Sequence, residues 1–166
     1  MDFQLSLQSE TIESAHPDAP LAATPQTPVS VVIGLLGSQK SGAVLVCSPA
    51  TEDGAEKLIG IFTERDALKL MADAASGQTS GLLQKTVGEV MSAEVITANT
   101  DATVADAIRL MHQGGYRHVP IVGPAGEPAG AVSVHGIVHY LVEHFPETVY
   151  NLPPKADQAQ AEREGA

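Results

Sequence analysis

His135, His139 and His144 fall in one short run, and the first two are spaced i, i+4, as paired zinc ligands on a helix face can be. No glutamate sits inside that pair in the manner of a zinc-protease helix, and the sole cysteine, Cys47, is remote in sequence. A solvated or helix-capping face is therefore the better reading, and no metal site is expected. Lys40-Ser41-Gly42 looks like a fragment of a phosphate loop, but it follows a helical pattern instead of preceding one and reads as a helix end. Cys47 lies in an apolar run where a raised thiol pKa and inertness are expected, and nothing resembles a nucleophile elbow. With no visible catalytic machinery, the chain is not expected to be an enzyme. Thr63 and Asp66 stand three residues apart where a strand gives way to a helix. On their own they read equally as an N-cap with a favourable first-turn charge or as a ligand-binding pair.

The elements that position these residues must come from 166 residues of 43% hydrophobic composition, enough for one compact domain or two very small ones. Nine Lys plus Arg against 20 Asp plus Glu leave a net charge of −11. That balance disfavours nucleic acid and anionic lipid as partners, although a local basic pocket remains possible. One cysteine permits no intramolecular disulfide, which suits a reducing compartment. The start, Met1-Asp2-Phe3-Gln4, has no basic n-region, and no long apolar run occurs, so a cytoplasmic location without membrane contact is expected. Residues 153–166 follow a Pro-Pro pair with almost nothing apolar beyond alanine and read as a disordered tail. The apolar-aromatic stretch from Phe145 to Pro153 is expected to fold back over the rest of the chain.

An internal repeat organises the sequence. A shift of 75 sets Thr11-Ile12 on Thr86-Val87, Val29 on Val104, Leu36 on Met111 and Val46 on Ile121. After a loop that differs by five residues, Gly60-Ile61-Phe62-Thr63 falls on Gly130-Ala131-Val132-Ser133. Apolar Val29, Val32, Ile33 and Leu36 recur at helical spacing behind Thr27-Pro28, read as N-cap and first helical residue. Val104, Ala107, Ile108 and Met111 repeat the pattern behind Thr103, with Asp106 completing an imperfect capping box and Gly114-Gly115 ending the helix. Strands are predicted at 43–47 and 57–62, and again at 117–122 and 129–134. Helices follow at 64–72 and 135–144, the first with Ala67, Leu68 and Met71 on one face, the second with Ile137, Val138 and Leu141. A short strand at 21–23, and another at 95–97, opens each half. Neither half could bury its sheet alone, so the two should pack face to face and leave related clefts at the seam.

Three segments carry a family resemblance: Gly60-Ile61-Phe62-Thr63-Glu64-Arg65-Asp66, Gly115-Tyr116-Arg117-His118-Val119-Pro120-Ile121-Val122, and Thr86-Val87-Gly88-Glu89-Val90-Met91 between the halves. In order and spacing the chain resembles the paired cystathionine-β-synthase (CBS) repeats, or Bateman module, over roughly residues 9 to 145. The resemblance implies an α+β (α/β mixed) fold of two βαββα repeats with pseudo-twofold symmetry. Residues 1–80 would form the first repeat with an N-terminal segment, and 81–152 the second. It implies further association into a disc-shaped homodimer through helical faces.

The same resemblance assigns roles. Thr63 and Asp66 would hold a ribose, since a carboxylate can accept two hydrogen bonds from vicinal hydroxyls. Val95, Ile96 and Thr97 would receive the base, and Arg117 and His118 would meet the phosphates. Ser133 is followed three residues later by Gly136, which has no side chain to accept anything, so one competent ribose site is expected. The ligand implied is an adenine nucleotide (AMP, ADP or ATP) or S-adenosylmethionine, with no cofactor required and an unidentified effector protein as listener. The rival reading is a structural dimerisation module whose clefts stay empty. A third class, an enzyme or metal protein, would need a constellation the sequence does not display.

Overall fold

The computed structural model describes residues 3–39, 41–49, 56–77 and 81–150. Lys40, residues 151–153 of the apolar-aromatic stretch and the expected tail at 153–166 lie outside them. A short helix α1 (Phe3–Ser9) leads into a 3-10 turn (Ile12–Ala15). The first half then runs β1 (Ala22–Ala23), α2 (Val29–Gln39), β2 (Ala43–Cys47), β3 (Leu58–Thr63) and α3 (Glu64–Ala75). After 3-10 turns at Leu82–Gln84 and Val87–Glu89, the second half repeats the order. It comprises β4 (Ala98–Asn99), α4 (Val104–Gly114), β5 (His118–Val122), β6 (Pro128–Ser133) and α5 (Val134–His144), followed by α6 (Pro146–Tyr150). The fold is α+β, two βαββα units.

Each half carries a three-stranded sheet in the order β1-β2-β3 or β4-β5-β6. In both, the short first strand pairs parallel to the second and the last two pair antiparallel. The irregularity in each antiparallel ladder falls at equivalent places, Val46/Cys47 and Ile121/Val122, which the shift of 75 relates. The opening strand of the second half is Ala98–Asn99, not residues 95–97, because its parallel bonds form to Ile121 and Val122.

Helix starts follow local chemistry. The Thr63 hydroxyl and the Asp66 carboxylate make a reciprocal capping box on α3, and Thr103 with Asp106 makes the same box on α4. At α2 the expectation shifts by one residue. The Pro28 carbonyl accepts from Val31 N and Val32 N at 3.0 and 3.2 Å, so Pro28 stands just before the helix. Thr27 instead accepts a bond from the Thr24 N–H at 3.1 Å.

Two of the inward faces differ from the helical pattern read above. On α3 only Ala67 of the three named residues is buried; Leu68 and Met71 are 69% and 56% exposed. The stripe that meets the first core is Ala67, Leu70 and Ala74 at i, i+3 and i+7. On α5 the stripe is Ile137, Tyr140 and Leu141, while Val138 faces outward. Both helices carry two apolar edges, and periodicity alone does not say which one the sheet will cover.

The two cores exchange their leading segments. Ile12 and Ala15, at the start of the chain, are fully buried among Val104, Val119, Val132 and Tyr140 of the second half. Leu82 and Val87, from between the halves, pack among Val29, Val44 and Phe62 of the first. Backbone bonds show the same crossing twice. Ile12 N donates to Ala102 O and Val104 N to Glu10 O, at 2.8 and 3.0 Å. Val87 N donates to Thr27 O and Val29 N to Lys85 O, at 2.8 and 2.9 Å. Val29 and Val104 each open a helix, where the N–H has no partner inside the helix, so the crossing segment satisfies a donor that would otherwise be lost. Phe145 is also buried in the second core, its ring edge-on to Tyr140, so the stretch beyond α5 begins by folding back.

Candidate functional site

The turn from β3 into α3 positions the Thr63–Asp66 pair. Thr63 has extended backbone geometry (φ −119°, ψ 167°) that ends the strand and starts the helix. Asp66 Oδ2 accepts from Thr63 N at 2.9 Å and from the Thr63 hydroxyl at 2.7 Å. The capping reading of this pair is therefore realised. It leaves Oδ1 without a bond from the described residues, and Asp66 itself half-buried at the edge of a cleft.

That cleft, about 260 Å³, lies between the halves. Thr63 and Asp66 enter from the first half, Val95 and Ile96 from the segment before β4, and Arg117 and His118 from the start of β5. Six of the seven residues named from sequence thus share one hollow. Thr97 is not among the lining residues; it stands next to β4, and Ser92 and Glu94 take part instead. Ser92 is drawn in because its backbone pairs with Ile61 in both directions, at 3.0 and 2.9 Å. Tyr116 and Arg65 also line the cleft and were missed from sequence. Arg65 did carry a signal, since a cation in the first turn of a helix opposes the helix dipole and so invites another explanation. Its guanidinium donates to Gly115 O at 3.4 Å, reaching from one half to the other.

Burial lowers the pKa of His118 below 6.5, with Asp18 and Glu64 opposing the shift and Arg117 and Arg65 adding to it. The ring lies against Gly42, where any Cβ would collide with Nε2 and Cε1. At neutral pH His118 is therefore an uncharged hydrogen-bonding group, and the fixed positive charge belongs to Arg117 and Arg65. The stability consequence has a definite sign. With a folded-state pKa below the unfolded one, the unfolded chain takes up the proton first, so stability falls as pH drops below 6.5. Melting measured at pH 7 and pH 5.5 is expected to show that loss, and His118→Gln is expected to lack it; equal losses in both proteins would contradict the assignment.

A second hollow of about 250 Å³ occupies the related position, lined by Asp18, Gly42, Arg117, His118, Ser133, Val134 and His135. Here the Ser133 hydroxyl accepts from Gly136 N at 3.1 Å, so the helix is capped, but no carboxylate follows it. The structure gives the reason. Ala15 O rests against Gly136 where a side chain would begin, and His16 O lies beside it. The leading segment of the chain takes the space that Asp66 occupies in the first cleft.

The remaining candidates are placed as follows. Cys47 is buried, and burial first, then Glu56, pushes its thiol pKa up to about 11. His144 Nδ1 bonds the Tyr140 carbonyl at 3.0 Å near the end of α5, as a capping residue would. No helix among the described residues is long and apolar enough to cross a membrane.

A family model described as the CBS domain matches residues 14–73 and 87–143. The chain belongs to the CBS domain family. Among curated proteins it is similar to an uncharacterized 17.7 kDa protein of Acidianus ambivalens, 32% identical over 91 residues, which are 55% of this chain and 51% of that one. The chain thus spans about half the length of that relative, and about a fifth of others. Among solved structures it is similar to the CBS-domain containing protein ATU1752 from Agrobacterium tumefaciens, with 31% identity and a TM-score of 0.60 over 75% of this chain and 84% of that one. It also shares its fold with CBSX2 in complex with AMP, at 21% identity and a TM-score of 0.63 over 81% of this chain and 98% of that one. The CBS pair accounts for the duplicated sheets and for the cleft between them.

Proposed function

We propose that this CBS pair is a regulatory, non-catalytic module that binds an adenine nucleotide in the cleft at Thr63 and Asp66 and passes the binding state to a partner protein. The observation that carries the reading is convergence. Thr63, Asp66, Val95, Ile96, Arg117 and His118 come from three separated stretches and line one hollow. Asp66 would accept the ribose hydroxyls through the carboxylate oxygen its capping bonds leave over. Ile96, 46% exposed, and Tyr116, 41% exposed, offer an apolar wall for adenine that is otherwise costly to leave in water. Arg117 and Arg65 would meet the phosphates in a cleft that Glu64 and Glu94 also line. At about 260 Å³ the hollow falls just below the roughly 300–1,000 Å³ typical of ligand clefts, so it would take no more than a single mononucleotide. CBSX2, a structural neighbour, has been solved with AMP, which lends the chemistry a precedent in this fold.

A ligand touching both halves shifts their arrangement only by its differential affinity for the alternatives, and that difference is what a partner would read. The test is a thermal-shift series with AMP, ADP, ATP and S-adenosylmethionine. At least one is expected to raise the melting temperature in a concentration-dependent way; no shift with any of them would favour an interaction module with empty clefts.

The outward apolar residues Leu68 and Met71 on α3 and Val138 on α5 support association of two copies through these helices. Sedimentation should find a dimer that Leu68→Glu combined with Val138→Glu turns into a monomer. A wild-type monomer, or a dimer that survives both changes, would remove this part of the proposal.

A further inference from the structure

We propose that His16, His139 and Glu143 form a binding site for one divalent transition-metal ion, with zinc the best fit. His139 and Glu143 are spaced i, i+4 on α5, so they share a helix face. His16 reaches them from the leading segment, far away in sequence. One ligand atom from each of the three lies within 4.8 Å of the others. His16 Nε2 and Glu143 Oε2 are 2.9 Å apart, and the His16 and His139 rings are 4.6 Å apart, tilted by 47°. Zinc bonds of about 2.0–2.1 Å in a tetrahedral site place ligand atoms roughly 3.3 Å from one another, so small side-chain rotations would close the set around an ion. The exposed side of the cluster leaves room for a water at the fourth position.

A second observation sets this cluster apart from a chance surface ion pair. Among the described residues His16 is the single non-glycine with positive φ, at 49°. That geometry makes His16 the left-handed C-cap of the 3-10 turn, its N–H donating to Glu13 O at 3.2 Å. The turn itself is held in place, since Ala15 is fully buried in the second core and its carbonyl rests on Gly136 of α5. The backbone therefore aims His16 across α5 at a position fixed by packing. Two imidazole nitrogens and one carboxylate suit zinc over magnesium or calcium, which prefer all-oxygen sets. A bound ion would clip the leading segment to the second repeat, outside the nucleotide cleft and independently of any nucleotide.

The pair suggested by spacing alone, His135 with His139, is a different one: His135 lines the second hollow and is not part of the cluster. Calorimetric titration of the untagged full chain with zinc chloride, alongside melting curves, separates the possibilities. One ion per chain is expected, with a rise in melting temperature of about 5 °C at a hundredfold excess over Kd. His139→Ala, Glu143→Gln and His16→Asn should each weaken binding at least tenfold. Asparagine is chosen because it tolerates the left-handed backbone at position 16. His135→Ala should bind as the wild type does. Absence of saturable binding, binding that persists in Glu143→Gln and His16→Asn, or binding lost in His135→Ala would each overturn the site; so would a magnesium response equal to that of zinc.

Discussion

Asp66→Ala is expected to cut the nucleotide-dependent rise in melting temperature sharply while leaving a folded protein. The carboxylate oxygen left over by the capping bonds would take a charge-assisted hydrogen bond from the ribose, worth about 1.5–3 kcal/mol, so its loss should weaken binding by roughly 10- to 150-fold. The same substitution also removes the capping box of α3, which costs about 0.5–2 kcal/mol of stability by itself. The molecule supplies a control for that second effect. Asp106 makes the matching box with Thr103 on α4, accepting from Thr103 N at 3.0 Å and from its hydroxyl at 2.8 Å, but it does not line the cleft. Asp106→Ala should therefore lower the melting temperature by a similar amount and keep the full response to nucleotide. If both variants respond like the wild type, Asp66 is a helix cap and nothing more.

Gly136→Asp restores in the second repeat the residue type that Asp66 supplies in the first, and it is expected not to create a second site. A Cβ at 136 would fall against the Ala15 carbonyl, closer than real side chains approach backbone oxygens. The leading segment is anchored by Ile12 and Ala15 in the core and cannot move aside freely. Forcing atoms into such a contact typically costs about 1–3 kcal/mol, so the variant should melt earlier. Its nucleotide stoichiometry should stay at that of the wild type. A stable Gly136→Asp protein that takes up one additional nucleotide would show that the carbonyl does not block the second position.

Much of the architecture was legible because duplication doubles every signal. The strands Ala43–Cys47 and His118–Val122, and the helices from Val29 and Val104, recur at a shift of 75, and the helices from Glu64 and Val134 recur at a shift of 70. What stayed hidden depends on contacts across the chain. The exchange of leading segments rests on backbone bonds such as Ile12 N to Ala102 O, which side-chain pattern does not encode. Leu68 and Met71 share an apolar edge of α3 with Ala67, but the sheet covers the edge at Ala67, Leu70 and Ala74.

The lining of the candidate cleft was legible for the same reason. Thr63 and Asp66 are neighbours in sequence, and Arg117 and His118 open a strand whose place the repeat predicts. Thr97 was named in place of Ser92 and Glu94 because the strand it was assigned to begins at Ala98, and the pairing of Ser92 with Ile61 brings the earlier residues to the cleft. The closed second position was half visible: Gly136 announced a missing carboxylate, but only the structure shows Ala15 filling its place. His16 could not have been joined to His139 and Glu143 by spacing, since its approach depends on the crossing of the first segment.

The most direct measurement is a crystal structure of the full chain grown with saturating AMP, or with whichever compound gives the largest thermal shift. Ribose hydroxyls within hydrogen-bonding distance of the Asp66 carboxylate, with the base on the Val95–Ile96 side and phosphate toward Arg117, is the predicted result. A vacant first cleft at saturation, or ligand seated only in the hollow beside Asp18 and Ser133, would contradict it.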